Sequence, residues 1–206
     1  KPPKQLITKK DILEVSEFSL VDKVTEKDIF WNSFFYFAFF TGMRPGEIRA
    51  FSEDDYFDGE VHINKTISRK QGGVEYVANL PKNKKIFSKP IDTKLQQRLN
   101  KYIAWKRANG ISSKFLFGGD DFVGKHKLER TLKDYMEKID TTKHITPHCF
   151  RHSYVSMLID MDCSTKTVAE MIGDTEEVVM ETYSHLYTTK KRQTVDKLND
   201  YLCAKI

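Results

Sequence analysis

Two short segments in the C-terminal part of the chain carry side chains whose spacing permits phosphate chemistry, residues 148–152 and 183–185. Thr146-Pro147 predicts a helix start, because proline is tolerated where its missing N–H would have no partner. His148 and Arg151, three residues apart, would then share one helix face. A forked guanidinium beside an imidazole can bind a phosphate oxygen, and Tyr183 can supply a nucleophile. This spacing indicates chemistry on a phosphodiester rather than a merely basic surface.

Length and composition set the broad class of the protein. The chain has 206 residues and a formal charge of +5, enough for one sizeable core and compatible with a polyanionic partner. A charge of this size also serves simple solubility. The three cysteines, Cys149, Cys163 and Cys203, are odd in number and lack metal-ligand spacing, which predicts a reduced, intracellular protein without a metal site.

The elements that must position these residues are mostly helical. The densest apolar run, residues 29–40, is almost entirely aromatic and about a dozen residues long, whereas a membrane span needs about 20. We therefore expect a core helix and no membrane association. The predicted helices cover about 8–16, 26–41 (ended by Gly42), 45–52, 93–109, 124–139, 147–161, 164–171, 175–183 and 189–204.

Short β-branched and aromatic segments occupy residues 56–90, broken at Asp58-Gly59, Gly72-Gly73 and Lys82-Asn83. Such pairs are typical of hairpin turns. The predicted fold class is therefore mostly α with a small antiparallel β-sheet (α+β).

Four sequence blocks in this order resemble the catalytic domain of the tyrosine recombinases of the phage integrase type. Residues 39–48 resemble the family's first arginine motif, and residues 146–153 resemble its His-x-x-Arg-His motif. Residues 172–185 resemble the segment in which the nucleophilic tyrosine falls ten residues after a glycine. Residues 80–85 lie where the family carries a catalytic lysine on a β-hairpin. The resemblance covers about residues 5–187 and implies the tyrosine-recombinase catalytic-domain fold.

The resemblance implies a role for each matching residue in attack on a DNA phosphodiester. Arg44 and Arg151 would stabilise the extra negative charge of the transition state. Tyr183 would be the nucleophile, with Tyr187 as its rival. His148 would be the general base or proton relay, or else a hydrogen-bond donor to the phosphate.

Further residues complete the expected site. Lys82 would protonate the leaving 5′ oxygen, with Lys84 or Lys85 as alternatives. Glu47 is expected to hold Arg44 or cap a turn, and His152 to be a structural helix residue with a hydrogen bond nearby. No cofactor is expected.

One position departs from the family pattern. Asp174 follows Gly173, where the family usually has histidine or tryptophan near the scissile phosphate. An acid there repels the anion unless it turns away or supports Arg151 or His148. We expect it to support a cation, since an unpaired carboxylate in a desolvated site is costly.

Site-specific DNA recombination through a 3′-phosphotyrosyl intermediate is the expected function, in integration or excision of a phage or other mobile element. The alternatives are a catalytically silent DNA-binding regulator on the same fold and relaxation of supercoils as in type IB topoisomerases. The partners would be double-stranded DNA and three further copies in a homotetramer, with a monomeric isolated domain also open. The expected location is the cytoplasm of a bacterial host, at the nucleoid.

The domain organisation follows from the same resemblance. Residues 1–187 are expected to form the catalytic domain, and residues 188–206 a tail helix. Four apolar residues recur at helical spacing in that tail and need a surface to cover, either on their own domain or on another protomer: Val195, Leu198, Tyr201 and Leu202. Because the chain begins with lysine rather than methionine, we expect a fragment. The resemblance implies an upstream DNA-clamping domain, which is absent from it.

Overall fold

The structure, a computed structural model, describes residues 12–80, 86–139 and 141–204. Helices dominate it, and the predicted class, mostly helical with small antiparallel sheets, is confirmed. The helices are α1 (Val15–Thr25), α2 (Ile29–Thr41), α3 (Pro45–Ala50), α4 (Thr93–Ala108), α5 (Lys125–Met136), α6 (Cys149–Asp160), α7 (Thr165–Ile172) and α8 (Glu176–Cys203), with a 3-10 turn at Glu53–Asp55. The strands are β1 (Tyr56–Phe57), β2 (Glu60–Ile63), β3 (Thr66–Arg69), β4 (Glu75–Ala78) and β5 (Phe87–Pro90).

The aromatic helix α2 forms the centre of the main core. Asp28 caps its start by accepting a hydrogen bond from the backbone N–H of Trp31, and Gly42 ends it in the left-handed conformation. A helix that is apolar on all sides must be surrounded, and α1, α4 and α6 pack against α2. Within the described ranges, no helix combines the length and apolar character needed to cross a membrane.

Helix α1 corrects the prediction for the N-terminal region. We expected a short helix to about Ser16 and then a polar stretch, but the helix runs from Val15 to Thr25. Phe18 and Val21, three residues apart, are buried against the main core. Burial of this apolar pair stabilises the helix although the residues around it are polar. The expected capping residues Thr8 and Asp11 lie outside the described residues.

The strands form two small antiparallel sheets instead of the single one predicted. One has the order β1-β2-β5, and the other pairs β3 with β4. The turns at Asp58-Gly59 and Gly72-Gly73 lie where the sequence predicts them, with positive φ at all four residues. The predicted turn at Lys82-Asn83 lies outside the described residues.

Two corrections concern the C-terminal helices. Helix α6 begins at Cys149 with His148 as its N-cap, two residues later than expected from Pro147. Helix α8 is continuous from Glu176 to Cys203, whereas we expected a break between 183 and 189. The intervening residues 184–188 contain no glycine or proline that would end a helix.

Candidate active site

The C-terminal ends of α2 and α7 form two similar turns that meet at the site. Gly42 and Gly173 end these helices with φ of 58° and 62°. A Cβ on Gly42 would lie 2.4 Å from the ring of Tyr154, and one on Gly173 would lie 2.1 Å from the ring of Phe87. Both positions therefore require glycine for backbone conformation and for space. Asp174 directly follows the second turn.

Arg44 begins α3 and is held by the helix that it opens. Its Nη1 lies 3.0 Å from Oε1 of Glu47, and its backbone N–H donates to Glu47 Oε2 at 2.8 Å. Glu47 thus performs both of its expected tasks, holding the guanidinium and capping the turn. The second nitrogen, Nη2, donates to Asp174 Oδ2 at 2.7 Å.

Arg151 is buried on α6 and bonded to both turns. Its Nη1 donates to the carbonyl oxygens of Gly42 and Ile172 at 2.9 and 3.0 Å. Its Nη2 donates to Asp174 Oδ2 at 2.6 Å. Two guanidinium groups that are far apart in the sequence thus converge on one carboxylate oxygen. The expected support of a cation by Asp174 is present, and it involves Arg44 as well as Arg151.

Lys89 is a site neighbour that the sequence analysis missed. Its side chain, 2% exposed, projects from β5 into the space beneath the two turns. The Nζ donates to the carbonyl oxygen of Thr41 and, at 2.8 Å, to that of Met171, and lies 4.7 Å from the ring centre of Tyr154. Burial, followed by the charge of Arg151, lowers the pKa of this lysine to about 7. Side chains two residues apart on a strand lie on the same face. Because Lys89 lies two residues before the buried Ile91, this alternation was the sequence signal that its side chain is buried.

A second apolar cluster, separate from the main core, lies between α6, α7 and α8. Tyr183 belongs to this cluster and is only 4% exposed. Its Oη lies 2.6 Å from Nδ1 of His152. Burial raises the pKa of the phenol above its ordinary value, the charge of Arg151 opposes that rise, and Asp174 adds to it. Its rival, Tyr187, instead places its Oη 3.5 Å from the carbonyl oxygen of Cys163.

His148 keeps an exposed face and packs its ring edge-on against His152, with ring centres 4.6 Å apart. Withdrawal from water, together with the charges of His152, Arg151 and Arg44, lowers the pKa of His148. His152, expected to be structural with a hydrogen bond nearby, makes that bond to the candidate nucleophile itself. Lys82 and its alternatives Lys84 and Lys85 lie outside the described residues.

The chain matches the model of the phage integrase family over residues 7–190. It is 27% identical over 197 residues to the ICEBs1 integrase of Bacillus subtilis, covering 88% of this chain and 52% of that protein. With the integrase of Staphylococcus phage L54a it shares 25% identity over 172 residues, covering 77% of this chain and 48% of the relative. The chain thus spans about half the length of these two relatives.

Solved structures show the same fold at low sequence identity. The XerA recombinase superposes with a TM-score of 0.71 at 15% identity, over 93% of this chain and 66% of the other. The Tn1549 transposon integrase in complex with transposon right end DNA gives 0.70 at 13% identity, over 94% and 68%. Together with the site geometry and the family match over residues 7–190, these similarities lead to one conclusion: the chain belongs to the phage integrase family.

Proposed function

We propose that this protein is a site-specific DNA recombinase that cleaves and rejoins strands through a 3′-phosphotyrosyl intermediate. The observation that carries the proposal is the convergence of Arg44 and Arg151 on one oxygen atom, beside a buried Tyr183. Two guanidinium groups that already share an anionic oxygen are arranged to share a phosphate oxygen. The carboxylate of Asp174 stands in for that oxygen in the free protein.

The chemistry assigns each group one task. Tyr183 attacks phosphorus, the arginines stabilise the charge that develops on the phosphate oxygens, and a 5′ oxygen leaves. Lys82 would protonate this leaving oxygen, as its place in the family motif implies. The covalent link conserves the energy of the broken bond, so rejoining needs no nucleotide cofactor.

The relatives widen this proposal to partners and location. Integrases of a phage and of the ICEBs1 element are among the relatives. We infer that this protein acts on double-stranded attachment-site DNA of a mobile element, inside the cytoplasm of a bacterial host. Residues 1–187 would form the catalytic domain of a homotetramer, preceded by a DNA-clamping domain, and the tail from residue 188 would pack on another protomer.

One observation favours a second function, a catalytically silent DNA-binding regulator. Asp174 occupies hydrogen-bonding positions on both arginines that a phosphate would need. If no DNA displaces it, the protein binds DNA without cutting it.

Trapping of a covalent adduct distinguishes the two functions. The full-length protein is incubated with nicked DNA duplexes whose sequences together cover the DNA on both sides of its gene. Covalent adducts are then detected on denaturing gels. Tyr183→Phe should abolish the adduct while DNA binding, which rests on phosphate contacts, survives. Tyr187→Phe is the matched control and should still form the adduct. If the unchanged protein binds but never forms an adduct, the silent-regulator function is correct.

A further inference from the structure

The hydrogen bond between His152 and Tyr183 offers the proton of the candidate nucleophile a direct route to a base. The 2.6 Å distance joins Nδ1 of the imidazole to Oη of the phenol. Because burial keeps the phenol protonated, its O–H is the natural donor. Nδ1 accepts this hydrogen when the imidazole carries its own hydrogen on Nε2.

His148, the base that the motif suggests, is less well placed to take this proton. Its ring meets the ring of His152 edge-on, and no hydrogen bond joins it to Tyr183 in the part of the chain that the structure describes. Surrounding protein and neighbouring positive charges lower the pKa of His148, which makes it a weak base. A neutral imidazole with an exposed edge is suited to a hydrogen bond with the phosphate instead.

Helix α6 fixes His152 through its neighbour Arg151. The guanidinium of Arg151 is bonded to the carbonyl oxygens of Gly42 and Ile172 and to Asp174, so this turn of the helix is rigidly placed. His152 is the next residue and meets Tyr183 on α8. Groups positioned in this way by rigid elements can act without rearrangement. The titratable and charged groups near His152 include His148 and Arg151 on its own helix and Tyr183 on α8.

We infer that His152 is a catalytic residue, the general base that accepts the proton of Tyr183 during strand cleavage. This inference rests on the proposed function. In the step, the Oη–H bond breaks and its proton passes to Nδ1 of His152, while the oxygen forms the new bond to phosphorus. The bond between phosphorus and the 5′ oxygen breaks, and that oxygen takes a proton from the acid or from water. In rejoining, His152 returns the proton to Tyr183.

The variant His152→Asn tests whether His152 acts as a base or only positions Tyr183. The asparagine side chain places a hydrogen-bonding atom near the position of Nδ1, but it cannot accept a proton at neutral pH. Single-turnover cleavage of the nicked duplex that the unchanged protein cuts should fall by about 10²–10⁴. The remaining rate should rise steeply with pH, because hydroxide must then remove the proton. Thermal unfolding and DNA binding should match those of the unchanged protein.

His152→Ala supplies a second measurement, which does not depend on how well asparagine fits. Free imidazole and its methylated derivatives should restore cleavage, with rates that increase with the pKa of the added base, as general base catalysis requires. His148→Ala is the control and should show no such dependence. If the Asn variant cleaves within about threefold of the unchanged protein, or rescue is independent of the pKa of the added base, the inference is wrong. An unchanged protein that forms no adduct at all overturns the proposed function, and this inference with it.

Discussion

At the residue scale, Asp174 stands between two positive charges that would otherwise repel each other. Its single Oδ2 accepts hydrogen bonds from both Arg44 and Arg151. Under the proposed function, a carboxylate in this position would organise the arginines before DNA arrives, but it would also compete with the phosphate that they bind. Its effect on cleavage is therefore the difference between two opposing terms.

We expect Asp174→Ala to change single-turnover cleavage by about tenfold or less, because support for the arginines is lost while competition is relieved. Asp174→His should be nearly neutral or favourable. Arg151→Ala, the comparison variant, should lower the rate by about 10²–10³, since it removes transition-state stabilisation directly. Equal damage from Asp174→Ala and Arg151→Ala would show that Asp174 itself acts on the reacting phosphate.

Lys82 yields a prediction from its motif position alone. Lys82→Ala should slow cleavage of ordinary DNA by about 10²–10⁴, because the 5′ oxygen would leave without a proton. A substrate with a bridging 5′ sulfur, whose thiolate leaves unprotonated, should recover the lost rate in the same single-turnover assay. Lys84→Ala and Lys85→Ala are the matched controls. If the sulfur substrate does not restore the rate of Lys82→Ala, Lys82 has another role. If Lys84→Ala or Lys85→Ala is slowed and this substrate restores its rate, the lysine replaced in that variant is the acid.

The sequence motifs named four residues that the structure brings together, but they did not name the residues that support them. Arg44, Arg151, Asp174 and Tyr183 were named from the resemblance to the family's motifs, which are short segments around glycine turns and a helix start. Lys89 was not identified, because a lysine in a basic segment is expected to be exposed to solvent. Only the tertiary meeting of two helix ends reveals that its side chain is enclosed.

At the element scale, Lys89 joins the C-terminal ends of α2 and α7. In the unfolded chain a lysine keeps its proton to about pH 10.5, whereas burial lowers the pKa of Lys89 to about 7. Between these values the unfolded state binds more protons, so the contribution of Lys89 to the free energy of unfolding increases as pH rises. Below pH 7 the charged amine in the core is destabilising.

We expect Lys89→Met to remove this pH dependence. The free energy of unfolding of the unchanged protein minus that of the variant should increase between pH 7 and 9, by at most about 1.4 kcal/mol per pH unit. Denaturant titrations at several pH values measure this difference, in which the contributions of the other titratable groups cancel. Lys94→Met, at an exposed position of α4, should give a flat difference. A flat difference for Lys89→Met would mean that the buried amine stays charged.

Helix existence was predictable at this scale, but helix ends were not. Gly42 ends α2 where the sequence predicted it, whereas the start, predicted at Glu26, lies at Ile29 after the cap Asp28. Helix α1 was displaced because Phe18 and Val21 give only a short apolar pattern among polar residues. The two sheets were predicted as one, since sequence periodicity does not show which strands pair.

At the scale of the whole molecule, the tail is the least covered part of the described chain. Every side chain from Lys191 to Ala204 is exposed, including Val195, Leu198 and Tyr201 at helical spacing. None of the described residues covers these side chains, and packing on another protomer stays a prediction. An apolar face of this kind is typical of a surface that another chain covers.

Removal of residues 191–206 tests this assignment of the tail. The cut retains Lys190, whose Nζ lies 3.3 Å from Asp162 and donates to the carbonyl oxygen of Asp160. We expect DNA binding and thermal stability to remain close to those of the full chain, while recombination between two DNA sites falls at least about tenfold. The combined change Val195→Ser and Leu198→Ser should reproduce the effect without shortening the helix. Equal losses of stability and binding would indicate packing on the same domain.

The continuity of α8 has a mechanical consequence. Tyr183 and Tyr201 belong to one unbroken helix and are separated by about 27 Å of it. Contacts hold this helix on its own domain as far as Lys190, and every residue from Lys191 to Ala204 is exposed. A neighbour bound to the exposed end would therefore be connected, through one continuous helix, to Tyr183 and to its bond with His152. Assembly and strand cleavage would thereby depend on the same helix.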